Sequence, residues 1–219
     1  MEYKKEISKT INALSGSKSP YDIFCDWIAV MALSLANAPC LIHSKIWHER
    51  EKQYMNIVQK YSKEELNRFV YMFYLLTGAF EERLTDWLGE IYMESGCGNK
   101  NTGQFFTPFN VSQMCAMSTI PDDYDGSNPL TVNEPSTGGG GMIIAMAAAL
   151  KDKGYNYQAC MKVIAQDLDW KGVYMTYTQL SLIGIDAIVV QGDTLLEPYT
   201  DNYPRSRVFR TLRNMGGLI

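Results

Sequence analysis

At 219 residues, with 46% hydrophobic and 20% charged content, the chain has room for one substantial domain, or for a compact domain with a helical extension. A formal net charge of −4 argues against a surface built mainly for phosphate recognition. The five scattered cysteines contain no C-x-x-C pair, so neither a zinc site nor a disulfide framework is indicated, and a reducing, cytoplasmic setting is expected.

The start, M-E-Y-K-K-E-I-S-K-T, is no signal peptide, and the longest apolar run, residues 142–150, is too short to span a bilayer. Residues 1–100 read as helices. Ser19 and Pro20 form a helix start, and an apolar face follows from Ile23 to Leu35 until Ala38-Pro39. A second helix is expected over about 43–61. It carries His43 and His48, which are poorly spaced to share a metal. S-K-E-E at 62–65 predicts a capping box ahead of a third helix that Gly78 should interrupt. Tyr71, Phe73, Tyr74 and Trp87 sit at helical spacing and are expected in the core.

Residues 94–103, rich in glycine and asparagine, read as a linker or mobile loop. Beyond it Thr107-Pro108 opens a helix. L-T-V-N-E from Leu130 is expected as a short buried strand, and helix, strand, helix and strand follow through D-A-I-V-V-Q. That alternation predicts an α/β fold with a parallel sheet. Four arginines, at 205, 207, 210 and 213, are expected to be a solvated end.

Ligands of such sheets gather at the carboxyl ends of strands, near a switch in strand order. N-E-P-S-T-G-G-G-G-M-I-I at 133–144 sits at such an end. Met142 after Gly141 excludes a Gly-Lys-Ser/Thr phosphate loop, and Ile143 and Ile144 break a G-x-G-x-x-G fingerprint. A glycine-rich turn without a ligand remains open, as does an adenosine ligand with a zwitterionic tail, S-adenosylmethionine, whose ammonium suits Glu134. Two further strand ends carry acids: Asp167 and Asp169 suit ribose hydroxyls, and Asp193 suits an adenine amine.

With these residues in view, the chain resembles the adenine-specific N-6 DNA methyltransferases, in particular the modification subunits of type I restriction-modification systems. The likeness covers roughly residues 102–198. G-Q-F-F-T-P resembles the family stretch over the methionine end of the cofactor. E-P-S-T-G-G-G-G-M-I is similar to its cofactor loop, A-Q-D-L-D to its ribose-binding acid, and G-D-T-L to its adenine-proximal stretch. The resemblance implies a Rossmann-like S-adenosylmethionine-dependent methyltransferase fold, expected incomplete, over 101–219 behind a helical region over 1–100. It implies cofactor contacts by Gln104, Phe105, Thr107, Pro108, Glu134, Pro135, Gly138, Gly140, Gly141, Asp167, Asp169 and Asp193. DNA and a partner subunit carrying catalytic or specificity elements are the implied partners, with no membrane.

The family's N-P-P-[FY] motif, which holds the target amine and stacks on the flipped base, has no counterpart. None of the eight prolines are adjacent; Asn202-Tyr203-Pro204 is in the right region with the wrong pattern. Three readings follow: a methyltransferase completed by another chain or a longer product, an inactive cofactor-binding or regulatory homologue, and a fold persisting without its ligand.

Overall fold

The computed structural model describes residues 2–16, 18–94 and 106–216. They form two compact units, Met1–Arg83 with Trp87–Phe105, and Leu84–Asp86 with Phe106–Ile219.

The first unit is helical: α1 (Glu2–Leu14), α2 (Pro20–Asn37), α3 (Lys45–Val58), α4 (Lys63–Glu82) and α5 (Trp87–Glu94). Capping boxes start two of them. Ser19 accepts from the Asp22 amide while the Asp22 carboxylate takes the Ser19 amide, and Ser62 and Glu65 repeat the exchange ahead of α4. Phe24, Trp27, Ile28, Met72, Leu76 and Tyr92 are buried between the helices, and the Trp27 indole donates to the Phe69 carbonyl at 3.2 Å. Contrary to the sequence expectation, α4 runs through Gly78. A Cβ there would lie 3.2 Å from the Tyr3 ring, so this glycine admits a neighbour rather than ending a helix. The break falls at Arg83, which is extended. Trp87 is buried as expected, whereas Tyr71 and Tyr74 face outward, 45% and 70% exposed.

The second unit contains α6 (Phe109–Thr119), β1 (Leu130–Glu134), α7 (Gly141–Asp152), α8 (Tyr157–Cys160), β2 (Met161–Asp167), α9 (Trp170–Leu182), β3 (Asp186–Gln191) and β4 (Val208–Arg210). It is a mixed α/β arrangement. The sheet order is β1-β2-β3-β4, the first three strands parallel and β4 antiparallel to β3. A parallel return needs a long crossover, usually a helix, and the segment between β3 and β4 holds only one short 3-10 turn. β4 still completes the packing: Phe209 is buried, its ring 5.0 Å from that of Tyr177 on α9. β1 is an edge strand with alternating half-buried and exposed residues, not the buried strand its sequence predicts. Strand order follows chain order, so no switch in order occurs among the described strands.

Among the described residues no helix is long and apolar enough to cross a membrane, and no three potential metal ligands gather. Gln104 and Phe105, with all of the glycine-rich stretch after Glu94, lie outside the described residues.

Candidate functional site

The carboxyl ends of β1, β2 and β3 carry Glu134, Asp167 and, two residues past β3, Asp193. Between β1 and α7 the chain must turn within a few residues. Gly138 and Gly140 do so at φ of +54° and +90°, a region that costs an L side chain strain. Gly140 is the residue from which α7 starts.

The loop is tied down on several sides. The Thr137 amide donates to the Gln166 carbonyl at 3.0 Å, and the Gly138 amide to the Asp167 carboxylate at 2.7 Å. From α9, the Thr176 hydroxyl donates to the Gly138 carbonyl at 3.0 Å and the Gln179 amide to the Gly139 carbonyl at 2.6 Å. From the β3 side, the Thr194 hydroxyl donates to the Pro135 carbonyl at 2.6 Å. All three strand ends therefore meet in one hydrogen-bonded edge.

Asp167 is buried, 7% exposed, and also accepts from the Asp169 amide at 2.9 Å. Gly172 makes room for it, since a Cβ there would sit 2.7 Å from the carboxyl carbon. Burial pushes the Asp167 carboxyl above its ordinary range despite those amide donors. Glu134 is half-buried and is also pushed up, first by burial and then by the charge of Asp167, while the Ser136 amide at 3.2 Å opposes the shift.

The other acids have local tasks. Asp169 caps α9, accepting from the Lys171 amide at 2.9 Å, and pairs with the buried Lys171 ammonium at 3.3 Å. Asp193 accepts from the amides of Leu195 and Leu196, holding the turn after β3. Leu168, Leu195 and Leu196 are exposed at 67%, 93% and 80%, leaving apolar surface beside the acids. Thr107 and Pro108 are exposed where α6 begins, with Pro108 at the cap position.

The glycine block is close-packed on its Cβ side by the protein itself. A Cβ at Gly138 would lie 2.8 Å from the Phe106 ring, and at Gly140 3.2 Å from the Thr176 hydroxyl. At Gly139 it would lie 2.6 Å from the Asp86 carboxylate, and at Gly141 3.1 Å. Sequence reasoning looked for a ligand there and missed Phe106, Asp86, Thr176 and Gln179. Thr176 and Gln179 lie three apart on α9 and both are fully buried, but Lys171, Thr178 and Ser181 on the same helix leave no local pattern that singles them out. Tyr203 is no exposed stacking platform. It is 8% exposed, and its hydroxyl donates to the Gln191 carbonyl at 3.1 Å.

Comparison with known proteins adds the following. The model of the family described as N-6 DNA Methylase matches residues 85–210, more than half of the chain. Among solved structures, the methyltransferase subunit of a type I restriction-modification system from Streptococcus thermophilus aligns with 93% of this chain and 60% of its own. The TM-score is 0.49 and the identity 11%; at 60% coverage the chain spans less than two thirds of that subunit's length. No curated protein matches the sequence.

Proposed function

The chain belongs to the N-6 DNA methylase family, and from that premise we propose that it binds S-adenosylmethionine at the carboxyl edge of β1, β2 and β3. In this reading it supplies the cofactor-binding part of a DNA adenine methyltransferase. The observation that carries the proposal is the pair Glu134 and Asp167. Burial raises both carboxyls, and among the described residues neither is in a salt bridge. A cationic ligand offsets the cost of ionising them, whereas a phosphate would add to it.

The cofactor, when bound, supplies an electrophilic methyl group. Glu134 holds its ammonium, and Asp167 uses its remaining lone pairs for the ribose hydroxyls. Asp193 receives the adenine amine, with Leu168 and Leu195 as apolar flanks. Pro135, Gly138, Gly140 and Gly141 offer backbone, and Asp169 keeps the start of α9 in place. Thr107 and Pro108 at the start of α6 meet the methionine carboxylate, where free N–H groups favour an anion. Gln104 and Phe105 join them on the family pattern. The same proposal takes 1–100 as a helical region, 101–219 as the cofactor-binding region, DNA as substrate, the cytoplasm as setting and a partner subunit as the source of the groups that hold the target amine.

One observation favours a second reading, a cofactor-binding or regulatory homologue that does not methylate. No two prolines are adjacent, and Tyr203, the aromatic nearest the expected motif, is buried and hydrogen-bonded. Calorimetry with S-adenosylmethionine tests the site: micromolar-range binding is expected, lost in Gly140→Arg and weakened in Asp167→Ala. No heat at millimolar cofactor would remove both readings. Tritium transfer from labelled cofactor to unmethylated DNA separates them, and none is expected from this chain alone.

A further inference from the structure

We propose that Asp86 and Gln179 together form a clamp that positions the glycine loop, Asp86 being a positioning residue that acts through the loop. Its bearing on the cofactor rests on the reading above; the clamp itself does not.

Asp86 belongs to the short segment Leu84–Asp86 that packs with the α/β unit, and it is 6% exposed. Gln179 is fully buried on α9. Its side-chain nitrogen donates to Asp86 Oδ1 at 2.7 Å and to the Gly139 carbonyl at 2.6 Å. An amide NH2 has two hydrogens, and both are used. One planar group therefore sets the distance between the loop carbonyl and the carboxylate.

The glycines record the same contact from the other side. With any side chain at 139, a Cβ would lie 2.6 Å from both carboxylate oxygens, and at 141 it would lie 3.1 Å from Oδ2. At two of the four glycines, then, it is Asp86 that leaves no room for a side chain. The carboxylate also lies against the first turn of α7, where the N–H groups lack intrahelical partners and the helix end is positive.

Hydrogen exchange on the full chain without ligand tests the clamp. In Asp86→Ala and Gln179→Leu, the amides of residues 137–142 are expected to exchange about tenfold faster, with β2 and β3 unchanged. Asp86→Asn keeps an acceptor for Gln179 and should stay near wild type. Unchanged loop exchange in the first two variants, or equal acceleration throughout the α/β unit, would overturn the proposal. Calorimetry with S-adenosylmethionine then reads the consequence. Asp86→Ala and Gln179→Leu should each weaken binding about tenfold, and the two together no further, because one clamp is lost either way. Additive losses would overturn the joint action. If the wild-type chain binds no cofactor, the cofactor reading fails, while the exchange result still decides the clamp.

Discussion

The helical unit and the glycine loop use buried groups in opposite ways. Around Trp27 the interior is apolar, and a single indole N–H finds a backbone carbonyl at 3.2 Å. Under the loop, Thr137, Asp167, Thr176, Gln179 and Asp86 are all buried, and hydrogen bonds join them to the loop or to one another. Apolar packing is non-directional and tolerates small shifts, whereas a satisfied polar network specifies one geometry and penalises others. The first arrangement suits a scaffold. The second suits a backbone that must keep one shape.

The strongest way to break that contrast is Trp27→Ala. It should lower stability by about 3–5 kcal/mol, read by urea denaturation, while the folded fraction keeps its cofactor affinity. Lost affinity in the folded fraction would mean the two regions are not separate in role. Next comes Gly140→Ala. At φ of +90° the methyl group should cost about 1–2 kcal/mol in the same denaturation, with a larger proportional effect on cofactor binding. Ser62→Ala removes one half of a capping box and should cost about 1 kcal/mol without touching binding.

The smallest effect, and the one that sharpens the contrast electrostatically, is pH. Glu134 and Asp167 have folded values raised above 4.5 and 3.8. A raised carboxyl favours its protonated form in the fold, so its contribution to stability is fully present below the ordinary value and declines as pH rises through the folded one. Cofactor affinity should run the other way, strengthening over the same window as the carboxylates ionise. Urea denaturation across pH 4–7 checks the first sign and titration calorimetry the second, where affinity flat over that range would remove the two acids from the cation's surroundings.

Much of this was legible locally. β3 occupies D-A-I-V-V-Q and β1 L-T-V-N-E, as their β-branched runs predict, and Ser19 and Ser62 cap the helices that follow them. The acids at the strand ends were also readable, because a carboxylate after an apolar run is a local pattern. Gly78 misled because its reason, the Tyr3 ring, lies 75 residues away in the sequence. β4 was not foreseen, because a three-residue strand carries little local pattern and its direction depends on a connection that forms no crossover helix. Tyr71 and Tyr74 misled because helical spacing marks a face without saying whether anything covers it.

The amino-acid sequence alone determined where α2, α4, β1, β2, α9 and β3 begin, that a glycine turn follows β1, and that acids end successive strands. These follow from residue-level propensities, caps and periods acting over a few positions. Only the tertiary structure decided what fills the space beside each glycine, since Phe106, Asp86 and Gln179 reach the loop from elsewhere in the chain. Contacts between distant segments follow from packing and buried hydrogen bonding, and neither leaves a local period in the sequence.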